Sequence, residues 1–126
     1  MMPHKILIID DDKGVVEFVK SALTKRNYEV FTANSGDEGL TLVKQISPDL
    51  ILLDVVMPSL NGYEFLRALK ALSVIERNKT VPVFVITAKE EMEDLFKSEG
   101  VKEYLVKPVD TSELIKKTEE CLGPNG

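Results

Sequence analysis

One cysteine, one histidine and no long apolar run mark what this chain of 126 residues has little of. A lone Cys121 cannot close an internal disulfide, which fits a reducing compartment and makes the cytoplasm the expected location. The sole histidine, His4, stands at the start of the chain and is assigned no role. No stretch approaches the roughly 20 apolar residues of a membrane span, so membrane insertion is not expected. Asp and Glu total 21 against 16 Lys and Arg, a net charge of −5. The basic stripe of a nucleic-acid surface is therefore missing, and direct nucleic-acid binding is not expected. Met1 to Lys5 leads straight into an apolar run, so a secretory leader is not expected. Repeats, low-complexity tracts and linkers are also lacking, so a single domain over residues 1–126, with a core of about 5–122 and no output domain, is expected.

Apolar runs of strand length alternate with stretches of helical period. That pattern predicts an α/β fold, a doubly wound parallel sheet with five helices on its two faces. The strands fall at Lys5–Asp10, Tyr28–Ala33, Asp49–Asp54, Val81–Thr87 and Val101–Val106. The first, third and fourth are almost continuously apolar, as strands covered on both sides should be. Tyr28–Ala33 mixes polar and apolar positions and reads as an edge. Val15, Val19, Ala22 and Leu23 give the first helix its stripe. Ser35 with Glu38, Asn61 with Glu64 and Asp110 with Glu113 have capping-box spacing at three helix starts. The helix after Gly62 runs long, into a loop at Glu76-Arg77-Asn78-Lys79. Lys89–Glu99 is the weakest helix, with only Met92, Leu95 and Phe96 as an apolar face, read first as core and second as a partly exposed docking surface.

The chemistry lies where apolar runs end. Ile6-Leu7-Ile8-Ile9 closes on Asp10, Asp11 and Asp12, and Leu50 to Leu53 closes on Asp54. In doubly wound sheets, ligands bind beyond the carboxyl ends of the strands, where the strand order reverses. If the first and third strands flank that point, Asp10, Asp11 and Asp54 converge. Like charges about 4 Å apart repel by roughly 4 kcal/mol at an effective dielectric near 20, so the cluster calls for a cation. Its hard oxygen donors suit Mg²⁺. Thr87 ends the fourth strand and Lys107 follows the fifth. A pocket of three carboxylates, one hydroxyl and one ammonium is equipped to handle a phosphoryl group, with Asp54 as a candidate nucleophile. Asp12 reads as solvent-facing or as a cap of the first helix, Cys121 as helix packing, and Lys116-Lys117 with Glu119-Glu120 as a solvated face.

Five linked features carry a resemblance: Ile-Ile-Asp10-Asp11, Leu-Leu-Asp54, Met57-Pro58 with Asn61-Gly62, Ile-Thr87-Ala88 and Val-Lys107-Pro108. From Lys5 to Leu122 the chain resembles the receiver domain of two-component response regulators, including the stand-alone chemotaxis type. The resemblance implies a flavodoxin-like sheet of strand order 2-1-3-4-5. It implies Asp54 as the phosphoacceptor, and Asp10, Asp11 and the Val56 backbone carbonyl beside Asp54 as the Mg²⁺ site, with Asp11 the favoured direct ligand of the acidic pair. Thr87 and Lys107 would hold the phosphoryl group, Tyr104 would be the switch aromatic, and Lys107-Pro108 would be cis. The partner implied is a sensor histidine kinase or phosphotransfer protein. The downstream effector, and whether phosphorylation drives a dimer, stay open. Such a domain catalyses only its own phosphorylation and autodephosphorylation, the rate of which the family tunes at the positions of Val56 and Lys89.

The chain departs from the family in a shorter stretch from Thr87 to Gly100, which implies a shortened or irregular fourth helix, and in Asn61 where Asp is commoner. Two other readings compete. A haloacid-dehalogenase-type phosphohydrolase would use Asp10 as nucleophile and Asp12 as acid, but the chain offers no acidic metal motif after Lys107 and leaves Asp54 idle. A flavin- or nucleotide-binding module would need a Gly-rich phosphate loop, which is missing.

Overall fold

The computed structural model describes residues 3–56, 62–76 and 80–123. Five strands form one parallel sheet: β1 (Lys5–Ile9), β2 (Glu29–Ala33), β3 (Leu50–Leu53), β4 (Val83–Thr87) and β5 (Glu103–Val106), in the order β2-β1-β3-β4-β5. The connecting helices are α1 (Lys13–Thr24), α2 (Gly36–Ile46), α3 (Gly62–Glu76), α4 (Glu93–Ser98) and α5 (Thr111–Leu122). This is the expected doubly wound fold, with β2 at an edge.

Successive strand residues face opposite sides of a sheet, so each apolar strand feeds two cores. Ile6, Ile8, Leu50, Leu52, Phe84 and Ile86 meet Val16, Val19 and Leu23 of α1 and Leu114 of α5. On the other side, Leu7, Ile9, Ile51, Leu53 and Val85 meet α2, α3 and α4 through Val43, Phe65, Leu69 and Phe96. Burial on both faces explains why these strands read as unbroken apolar runs rather than alternating ones.

Local signals set the helix starts. Asp12 caps α1 by accepting from the Gly14 and Val15 N–H groups at 3.0 and 3.2 Å. Ser35 Oγ accepts from Glu38 N–H at 3.2 Å, while Glu38 Oε1 accepts from Asn34 N–H at 3.2 Å, a variant of the capping box. Asp110 caps α5 through the Ser112 and Glu113 N–H groups. The third expected cap, Asn61, lies outside the described residues, as do Met57-Pro58 and most of the loop expected after α3.

The weak helix is indeed irregular: a 3₁₀ turn over Glu90–Met92 precedes only six α-helical residues. Its apolar set needs correction. Phe96 is buried and Met92 packs partly against the core, but Leu95 is 47 % exposed. A helix of under two turns has room for one strong anchor.

Phe65 is fully buried between α3 and the sheet. Phe65→Ala should therefore cost about 3–5 kcal/mol of folding free energy, read from urea unfolding. A loss below about 1 kcal/mol would mean that this core is not the close-packed one described here.

Candidate functional site

The register of the sheet brings the site together. Ile9 pairs with Leu53, so Asp10 and Asp54 leave their strands side by side. Asp54 N–H donates to Ile9 O at 2.9 Å, and Asp10 N–H donates to Ala33 O at 3.0 Å, which holds both exits in the sheet. Thr87 pairs with Val106, and Lys107 N–H donates to Thr87 O at 2.8 Å. Four strand ends thus deliver four of the expected site residues to one edge of the sheet.

Carboxylate oxygens of Asp10, Asp11 and Asp54 lie within 4.8 Å of one another. Asp10 and Asp54 are buried, at 4 % and 7 % exposure, whereas Asp11 is open to solvent. Lys107 Nζ bridges the buried pair, 3.0 Å from Asp10 Oδ2 and 3.1 Å from Asp54 Oδ2. Three carboxylates and one ammonium leave a formal −2. At an effective dielectric near 20, each pair of carboxylates at such separations repels by roughly 3–4 kcal/mol. One lysine cannot balance three of them.

Backbone groups hold the carboxylates in place. Asp10 Oδ1 accepts from Asp12 N–H at 2.9 Å, and Asp54 Oδ1 accepts from Val56 N–H at 3.0 Å. Burial pushes the Asp10 carboxyl above its ordinary range, and the Asp12 N–H and Lys107 only partly offset this. Burial also works against the Lys107 charge, but its hydrogen bonds to Asp10 and Asp54 prevail and hold the ammonium above its ordinary value. The Lys107-Pro108 peptide is cis.

A second chain of contacts runs outward from Thr87, which is 1 % exposed. Thr87 Oγ1 accepts from Lys89 N–H at 3.3 Å, and the Tyr104 hydroxyl donates to the Lys89 carbonyl. Tyr104 is 7 % exposed, its ring facing Phe96. Burial, with Glu91, Glu93 and Asp54 nearby, pushes its phenol up. The Lys89 backbone is thus the common element between hydroxyl and phenol.

The structure brings together Asp10, Asp11, Asp54 and Lys107, and links Thr87 to Tyr104. Asp12 stays out of the cluster because its carboxylate caps α1. Two features escaped sequence reasoning. Lys107 pairs with Asp10 as well as Asp54, which has no sequence signature, and Val56 contributes an N–H to Asp54, a local bond that an Asp permits without dictating. An apolar cavity of about 410 Å³, lined by Val43, Leu66, Leu69 and Val81 among others, lies at the opposite end of the strands and takes no part in this chemistry.

Residues 6–119 match the response regulator receiver domain. The chain belongs to the response regulator receiver family. It is 35 % identical over 114 residues to the protein PilH of Pseudomonas aeruginosa, covering 89 % of this chain and 92 % of PilH. It is 36 % identical over 113 residues to the response regulator ArlR of Staphylococcus saprophyticus, covering 88 % of this chain but only 49 % of ArlR. Among solved structures, the Vibrio cholerae chemotaxis protein CheY4 superimposes with a TM-score of 0.83 at 31 % identity, covering 96 % of this chain and all of that one. The receiver family is a family of signalling switches, and the phosphohydrolase reading is not favoured. Among the described residues of this receiver, no helix is long and apolar enough to cross a membrane.

The raised Asp10 pKa has a testable sign. Its contribution to stability is fully present below the ordinary carboxylate pKa of about 3.9 and is lost as pH rises through the higher folded value. In EDTA, Asp10→Asn should gain stability over the wild type as pH rises from acid towards neutrality, measured by urea unfolding. A pH-independent difference would refute this.

Proposed function

We propose that this receiver is a phosphorylation-activated switch of a two-component system, with Asp54 as the phosphoacceptor. The observation that carries the reading is the convergence of Asp10, Asp11 and Asp54 on one sheet edge around Lys107. The donor set fits Mg²⁺: every side-chain ligand is a hard oxygen, the formal charge is −2, and exposed Asp11 gives the ion a way in. Asp10, Asp11, Asp54 and the Val56 carbonyl would hold it. When bound, Mg²⁺ supplies charge neutralisation at the oxygens of the transferring phosphoryl group.

The chain's own residues do the rest. An Asp54 carboxylate oxygen attacks phosphorus of a phosphohistidine on a kinase or phosphotransfer protein. The new O–P bond replaces the N–P bond, and the electron pair returns to the imidazole. The Val56 N–H fixes the plane of the attacking carboxylate. Once Asp54 carries phosphate, the Lys107 ammonium pairs with phosphoryl oxygens in place of the bare carboxylate. The Thr87 hydroxyl moves towards the same oxygens. That movement acts on Lys89 N–H, and so on the carbonyl that holds Tyr104. The aromatic ring then reports the state of the pocket to the face of β5 and α4, where a partner can read it. Turnover is limited to the domain's own phosphorylation and its loss.

Acetyl phosphate, a small phosphoryl donor, tests the reading. The intact protein should gain the mass of one phosphoryl group with Mg²⁺ present, none in EDTA, and none as Asp54→Asn. Labelling that survives Asp54→Asn but vanishes with Asp10→Asn would return the argument to the phosphohydrolase.

A further inference from the structure

We propose that Gly62 is a positioning residue for the acidic site: α3 starts tight against Val55, and this contact clamps the peptide unit that orients Asp54. The inference rests on the metal site proposed above.

The unit in question is the Val55–Val56 peptide. Its carbonyl oxygen, Val55 O, accepts from Gly62 N–H at 3.0 Å. Its N–H, that of Val56, donates to Asp54 Oδ1 at 3.0 Å. A peptide group is planar and resists twisting, so a bond at one end constrains the direction of the other. Gly62 and Asp54 thus grip opposite ends of one rigid plate. The adjoining Val56 carbonyl, the proposed backbone ligand, is carried one residue further along.

Only glycine allows the approach. A Cβ at position 62 would lie 2.5 Å from Val55 Cα and 2.7 Å from both Val55 Cβ and Cγ1. Backbone cannot rotate out of the way as a side-chain tip can. Any side chain at 62 must push Val55 and α3 apart and turn the plate, and with it the Val56 N–H that orients Asp54. Gly39 provides the contrast. A Cβ there would also come within 2.5 Å of a neighbour, but that neighbour is Ile9 Cδ1, the end of a flexible side chain. Gly39→Ala should strain the core and leave the plate alone.

The test measures the Mg²⁺ dissociation constant by calorimetry on the full chain, for wild type, Gly62→Ala and Gly39→Ala, with the folded fraction checked by urea unfolding. Gly62→Ala should weaken Mg²⁺ binding by about 10–100-fold, the usual effect of losing a group that orients metal ligands. Gly39→Ala should bind Mg²⁺ as the wild type does, whatever stability it loses. Wild-type affinity in Gly62→Ala, or an equal loss in both variants, would overturn the proposal. Should Gly62→Ala fail to fold, amide resonances of the wild type decide. On Mg²⁺ addition the Gly62 and Val56 signals should shift and the Gly39 signal should not; an unmoved Gly62 signal overturns the inference. A wild type that binds no Mg²⁺ would defeat the functional reading instead, so the two failures are distinguishable.

Discussion

Crowding of negative charge at the ends of β1 and β3 is the constraint on which the rest of this structure turns. Two of the three carboxylates are buried, where water cannot screen them, and a single ammonium bridges that pair. A fold that stores such a cluster accepts a local destabilisation; replacing buried charges with neutral groups often stabilises a protein. The arrangement makes physical sense if the pocket holds a dication, as proposed above, because its charge would relieve repulsion already built into the sheet edge.

In the proposed function, the same edge would pass a local charge event outward. Thr87 and Tyr104 both bond to the Lys89 backbone. Lys89 leads into the 3₁₀ turn and the six-residue α4, the shortest α-helix among the described residues. Short elements with few anchors open and shift at low cost. The regular, doubly covered strands β1, β3 and β4 supply the fixed frame against which that stretch can move.

Much of this was legible in the sequence because the determining signals are local or periodic. Ile6–Ile9 and Leu50–Leu53 announce strands covered on both faces, and the aspartates that follow them mark the strand exits. Ser35 with Glu38 and Asp110 with Glu113 announce helix starts that the structure bears out. The short segment from Thr87 to Gly100 forewarned of the broken fourth helix. Leu95 was misassigned to the core because apolar spacing says nothing about how soon a helix stops. The Lys107 bridge to Asp10, the Val56 N–H on Asp54 and the contact of Gly62 with Val55 were out of reach for another reason. The Lys107 bridge and the Gly62 contact depend on how residues separated in the chain meet in three dimensions, and the Val56 N–H on Asp54 is a local bond that an Asp at a strand end permits without dictating.

A crystal structure grown with Mn²⁺, a hard cation whose anomalous scattering locates it, tests the central claim most directly. The account predicts one ion held among the oxygens of Asp10, Asp11, Asp54 and the Val56 carbonyl. An ion bound elsewhere, with Lys107 still the sole cation among the three carboxylates at saturating metal, would contradict it.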